Sequence, residues 1–96
     1  MSIDDVFRAL SDPTRREILR LLRSRDMTAG EIAERFPLAK STLSGHFNVL
    51  KQAGLVVTER TGTTIVYSLS VSAPEELLAA AFSLRDRRVK GKERAK

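Results

Sequence analysis

Few side chains in this sequence are equipped for chemistry. His46 is its one histidine, and there is no cysteine. Acid–base catalysis or a transition-metal site needs converging partners, and a lone imidazole lacks them. Carboxylates alone can hold a hard cation, but no loop shows the clustered Asp/Glu spacing that requires. An enzymatic role and a metal or other cofactor are therefore not expected. Without cysteine there is also no disulfide framework and no thiol redox switch. What remains is a run of small hydrogen-bonding groups, Lys40, Ser41, Thr42, Ser44 and His46. An isolated run of this kind is usually the wet face of an ordinary helix. Its hydroxyls and cation are also suited to phosphate oxygens and base edges in a DNA groove. His46 has two readings, phosphate contact or partial burial beside Phe47. Gly45 has two as well, neutral drift or close approach of the helix backbone to DNA, at about 1 kcal/mol of helix stability relative to alanine.

The elements around this run decide between those readings. Leu43, Phe47 and Leu50 recur at helical spacing through the run, so one helix from about Ala39 to Ala53 carries an apolar face and a polar one, with Gly54 at its C-terminal cap. Ala39 is a weak N-cap, and Ser41 is the alternative start. Before this helix, Thr28 and Glu31 have capping-box spacing, Ile32, Ala33 and Phe36 point inward, and Pro37 breaks the chain. After it, two β-type runs, Val56 to Arg60 and Thr64 to Leu69, flank Thr61-Gly62-Thr63, which predicts a hairpin. Its tip, Arg60 to Thr64, is either a plain turn or, with Arg60, Thr63 and Thr64, a phosphate or minor-groove contact. A short helix, a tight break, a two-faced helix and a hairpin make a helix-turn-helix with a wing.

Two helices precede this unit and one follows it. Ile3, Val6, Phe7 and Leu10 form an amphipathic stripe. Asp12 caps the next helix, Pro13 to Ser24, whose Ile18, Leu19, Leu21 and Leu22 are of core type and whose Arg15, Arg16, Arg20 and Arg23 are expected in solvent. Pro74 opens a last helix with Leu77, Leu78, Ala81 and Phe82 on one stripe. Each terminal stripe taken alone is ordinary core. Together they leave apolar area that a compact unit this small has little left to cover, which points to a self-complementary two-fold interface through Val6, Phe7, Leu10, Leu77, Leu78, Ala81 and Phe82.

The 96 residues make one domain, here bounded at 1–84, with a basic tail over 85–96 that is too charged to pack and is expected to be disordered. The formal charge of +5 belongs wholly to that tail, which is either simply solvated or a non-specific DNA arm. Residues 1–84 hold ten basic and ten acidic side chains. Ala39 to Leu69 nevertheless carries Lys40, Lys51 and Arg60 against Glu59 alone. No apolar run reaches the roughly 20 residues needed to cross a bilayer, and the first residues lack the basic start and apolar stretch of a secretory signal, so a cytoplasmic location without membrane insertion is expected.

Four segments, SDPTRREIL (Ser11 to Leu19), MTAGEIAERF (Met27 to Phe36), STLSGHFNVLKQAGLV (Ser41 to Val56) and VYSL (Val66 to Leu69), closely resemble the ArsR/SmtB winged-helix repressors over about residues 3–84. MTAGEIAE further resembles the small autorepressors related to the sporulation-delay immunity regulator. The resemblance implies a homodimer joined through its first and last helices. That dimer would block transcription by placing recognition helices in major grooves about 34 Å apart on an imperfect palindrome. It also implies that Lys40, Ser41, Thr42, Ser44 and His46 occupy base- and phosphate-contacting positions and that Arg60 to Thr64 forms the wing. Metal-sensing members carry a cysteine pair on the third helix, or histidines with carboxylates on the last. This chain has neither, so metal sensing is not expected, and Gly45 stands where a bulky polar residue is common.

The expectation is a mainly α fold with a small β-hairpin wing, in the order of four helices, two strands and a fifth helix. Its partners are double-stranded DNA, a second copy of itself, and an effector protein or small molecule that the sequence does not identify. The rival reading is a protein-interaction module that kept the fold and lost operator binding, favoured by the neutral body and by Gly45. An RNA binder would need exposed aromatics for stacking, and the sequence offers no such cluster.

Overall fold

The first three helices each begin on a side chain that accepts from their free N–H groups. The computed structural model describes residues 2–71, 73 and 75–83. Pro74 as an opening residue, the boundary at residue 84 and the basic tail lie outside the described residues. The first helix, α1 (Ile3–Leu10), starts on Ser2, whose hydroxyl accepts from the Asp5 N–H. The second, α2 (Pro13–Ser24), starts on Asp12, whose carboxylate accepts from the N–H groups of Thr14 (2.7 Å) and Arg15 (3.2 Å), with Pro13 at the first helical position.

A two-residue strand, β1 (Met27–Thr28), then leads into α3 (Ala29–Ala33) through the full capping box. The Glu31 N–H donates to Thr28 Oγ1 at 3.0 Å, and the Thr28 N–H donates to Glu31 Oε1 at 2.8 Å. The helix is shorter than its apolar spacing suggests. Arg35 N–H donates to the Ile32 carbonyl and Phe36 N–H to the Ala33 carbonyl, three residues back, so the chain tightens into 3₁₀-type turns ahead of Pro37. Ile32 is buried, with Ala33 and Phe36 packed at the edge of the core.

The next helix, α4 (Lys40–Gln52), follows Ala39, which offers no side-chain cap; Ser41 lies inside the helix. Its far end is a Schellman motif. Gly54 sits at φ 74° while its N–H donates to the Lys51 carbonyl and the Leu55 N–H to the Leu50 carbonyl. Leu55 is thereby turned into the core and the chain enters β2 (Val56–Thr61), which pairs antiparallel with β3 (Thr64–Leu69). Thr61 pairs with Thr64, so the loop is the two residues Gly62-Thr63 rather than three, with Gly62 at φ 64° as the first central residue of a type II′-like turn requires.

The sheet has three strands in the order β1-β3-β2. Met27 and Thr28 pair with Tyr67 and Val66 on the free edge of β3. Two residues carry no periodicity to read, so this strand is created by the neighbouring edge and not by local sequence. The last helix, α5 (Glu75–Ser83), packs on α2. Ile18, Leu19, Ile32, Leu50 and Leu55 are fully buried at the centre of the molecule, and Phe47 stacks obliquely on Tyr67 with ring centroids 4.5 Å apart, joining α4 to the sheet.

Two expectations change. The terminal stripes are not left uncovered as units. The first helix is rotated so that Val6, Ala9 and Leu10 enter the chain's own core, leaving Ile3 and Phe7 outside at 60% and 58% exposure. Leu78 and Ala81 are likewise buried within the chain, with Leu77 and Phe82 half-buried. Val6, Leu10, Leu78 and Ala81 are thus core side chains. The arginines of α2 are not all in solvent either. Arg15 donates to the carbonyls of Ala9 (3.0 Å) and Arg8 (2.9 Å), and Arg16 to that of Leu10 (2.7 Å). These are the last carbonyls of α1, at the negative end of its dipole and without a donor four residues on in the helix. Arg20 pairs with Glu17, and Arg23 lies 4.8 Å over the Phe82 ring and 3.9 Å from Glu75, tying α2 to α5.

Removing the cap with Thr28→Ala is expected to cost about 1 kcal/mol in urea unfolding. The Thr28 N–H, seconded by Arg25, holds the Glu31 carboxyl below the usual carboxylate range. Its contribution is complete above that range and fades as pH falls through the lowered folded value. Glu31→Gln keeps an acceptor for the Thr28 N–H but cannot titrate, so the acid limb of a stability-versus-pH curve should become shallower than in the wild type.

Candidate nucleic-acid interface

The polar face of α4 is built by exclusion. Leu43, Phe47 and Leu50 point to the core and leave the rest of the helix outside. Lys40, Ser41, Thr42 and Ser44 are exposed and His46 is half-buried. At 100° per residue these five do not form a single row. Ser41, Gly45 and Asn48, spaced i, i+4 and i+7, run along the crest opposite the core. Lys40, Ser44 and Lys51 lie on one flank, and Thr42 and His46 on the other. Sequence reasoning passed over Asn48, which is exposed on that crest. Its signal was available in the four-residue step from Ser44 and the ability of an asparagine amide to pair with adenine edges.

The first turn of α4 adds a second feature. No side chain caps it, so its leading N–H groups remain free for an anion. Lys40 stands at that end. At the other side of the sheet, Arg60 pairs in register with Ile65 on the wing, with Thr63 in the turn and Thr64 beside it, all three exposed. Among the described residues, Lys40, Lys51 and Arg60 meet no acidic partner within ion-pair distance. Thr63 and Thr64 also border a shallow notch of about 300 Å³ shared with Thr28, Ala29 and Gly30 at the start of α3. The wing and the start of α3 therefore meet at a seam lined by three threonines together with Ala29, Gly30 and Ile65.

His46 is placed differently from the other polar residues of α4. Its Nδ1 lies 3.0 Å from Arg15 Nη1. A guanidinium can only donate, so Nδ1 accepts and the ring proton sits on Nε2. Burial lowers the Arg15 pKa from the ordinary arginine value, Asp12 opposes that shift and Arg8 adds to it, yet the group remains a cation. His46 is half-buried, as one of its two readings expects, with one ring nitrogen engaged by Arg15 and the other without a partner among the described residues. Among the described residues, no three His, Cys, Asp or Glu side chains come together in a way that could hold a metal ion.

Gly45 has no heavy atom within 4 Å of where a β-carbon would stand, and its backbone is ordinary helix. Packing inside the chain therefore does not require it.

A short helix, an exposed two-faced helix and a hairpin wing carrying Arg60 define a winged helix-turn-helix DNA-binding regulator, and comparison with known proteins identifies the group. A family model described as a helix-turn-helix domain matches residues 10–59. The transcriptional repressor SdpR of Bacillus subtilis is 49% identical over 74 residues, covering 77% of this chain and 82% of its own. The solved structure of HlyU from Vibrio cholerae superimposes with a TM-score of 0.72 at 27% identity, over 90% of this chain and 88% of that one. The structure of the transcriptional repressor BigR from Xylella fastidiosa does so at 0.70 and 26%, over 84% and 83%. The chain belongs to the ArsR family of winged helix-turn-helix transcriptional regulators.

Gly45→Ala should raise stability by about 0.5–1 kcal/mol, as expected for an unstrained, unobstructed helix interior. A matched fall in the urea midpoint would show that the glycine is required within the chain.

Proposed function

We propose that this protein is a homodimeric repressor that reads a palindromic operator with α4, steadies the complex with the wing, and does so without a metal effector. The observation that supports this most is the pairing of an exposed polar crest and an uncapped, lysine-marked N-terminus on one helix with a wing whose arginine has no acidic partner among the described residues. Ser41, Asn48 and the flanking Lys40, Thr42, Ser44 and His46 supply donors and acceptors for base edges and phosphates. With Gly45 on the same crest, the α4 backbone can approach the groove floor. Arg60, Thr63 and Thr64 supply phosphate contact. Repression is supported by the 49% identity to SdpR. Pairing of two copies is supported by Ile3 and Phe7, two large apolar residues four apart on one exposed face of α1. Leu77 and Phe82 on α5 keep part of their surface outside and extend the apolar area available for it.

Fluorescence anisotropy on the promoter DNA upstream of its own gene tests the reading. Lys40→Ala combined with Thr42→Ala should weaken binding at least tenfold, on the scale of about 1–3 kcal/mol for lost specific contacts. Unchanged affinity would remove α4 from the interface, and no binding at low salt would favour the protein-interaction reading. Arg60→Ala should weaken binding to all sequences and reduce the slope of log affinity against log salt by about one. Gly45→Ala should weaken binding while stabilising the free protein, a combination that close approach to DNA predicts. Added zinc or a chelator should leave affinity unchanged.

Phe7→Glu leaves the core untouched, and light scattering should find a monomer where the wild type scatters as two chains. A dimeric Phe7→Glu protein would move the interface elsewhere.

A further inference from the structure

Arg15 is the side chain that the proposed DNA-reading role does not by itself explain. It sits at the start of α2 and is half-buried. Its guanidinium makes three contacts in three directions. Nε donates to the Ala9 carbonyl and Nη2 to the Arg8 carbonyl, both at the end of α1, and Nη1 donates to Nδ1 of His46 on α4. All three distances lie between 2.9 and 3.0 Å. The two α1 carbonyls belong to a helix end and accept strongly, so they hold the planar fork still. A fork held on one side by two fixed acceptors directs its three remaining N–H bonds along fixed lines, and one of those on Nη1 ends on the imidazole.

We infer that Arg15 is a positioning residue for DNA recognition: it locks His46 in the Nε2–H tautomer and one ring orientation, so that α4 offers DNA a pre-oriented donor. The inference rests on α4 being the DNA-reading helix. His46 shares its flank of α4 with Thr42, four residues earlier, so the oriented N–H and the Thr42 hydroxyl form an adjacent pair for a phosphate or base acceptor. Without Arg15 the ring is free to exchange tautomers and to rotate, and the ordering then has to occur on binding. Lysine at this position carries the charge but not the fork, so it can neutralise the end of α1 without also holding His46.

Two measurements separate this from a purely structural role. Nitrogen-15 NMR of the His46 ring in the free wild-type protein, at mildly alkaline pH, should show a protonated Nε2 and an unprotonated Nδ1. Arg15→Lys, with its far-ultraviolet spectrum unchanged, should show averaged tautomers. The second is a double-mutant cycle on a duplex enriched from random-sequence DNA by the wild-type protein. Arg15→Lys and His46→Ala should each lower affinity, and together they should lower it no further than His46→Ala alone, a coupling of about tenfold on the scale of contacting pairs. A wild-type ring protonated on Nδ1, or losses that multiply in the double variant, would overturn the inference while leaving α4 as the reading helix. Failure of the wild-type protein to enrich any duplex would overturn the DNA reading itself and this inference with it.

Discussion

The arrangement depends on how the end of α1 is closed. Its last carbonyls have no partner within the helix, and the turn through Ser11 and Asp12 does not supply enough donors. Ser11 reaches only the Arg8 carbonyl. The chain answers with Arg15 and Arg16, the third and fourth residues of α2, which reach back to the carbonyls of Arg8, Ala9 and Leu10. That sets how α2 leaves α1 and which face of α1 turns inward. Val6, Ala9 and Leu10 are buried as a result, and Ile3 and Phe7 are left outside. The same guanidinium then meets His46, so the geometry that closes one helix also fixes the ring on another.

From that corner the rest of the interface follows by packing. Leu43, Phe47 and Leu50 seat α4 against α1, α2 and the sheet, and the Schellman turn at Gly54 returns the chain as β2 with Leu55 buried beneath it. The wing is therefore aimed by the end of α4 and not by a flexible linker. On its other edge, β3 gathers Met27 and Thr28, and the capping box there launches α3 at a set angle before Pro37. A helix-turn-helix needs its two helices at a defined crossing, and this chain obtains it from a strand pairing at one end and a proline at the other.

The charge distribution is consistent with a binding surface of modest cation content. Residues 1–84 carry no net charge, so Lys40, Lys51 and Arg60, which meet no acidic partner among the described residues, matter by placement more than by number. The four basic side chains of α2 are all engaged. Arg15 and Arg16 serve the end of α1, Arg20 pairs with Glu17, and Arg23 reaches α5. On the proposed reading such a surface would recognise sequence through hydrogen bonds and close approach, with less help from general attraction to the phosphate backbone.

Local features were legible in the sequence because local physics writes them. Asp12-Pro13, the Thr28/Glu31 box, Gly54 and Gly62 mark element ends through φ preferences and backbone hydrogen bonds that involve only near neighbours, and α2, α3, α4 and the wing begin or end at those signals, although α3 closes at Ala33, ahead of the break at Pro37. The apolar triplet of α4 was equally plain, since a buried face must recur every three or four residues. Three things were decided only by the tertiary structure. The strand at Met27–Thr28 exists because β3 has a free edge. The terminal stripes divided into core and surface because a helix can present only one side to its neighbours, and neither Val6 nor Phe7 says by itself which side that is. Arg15 reads in sequence as one more solvated arginine of α2. Its role depends on bringing residues 8, 9 and 46 within reach of one planar group, and no spacing along the chain encodes a meeting of that kind.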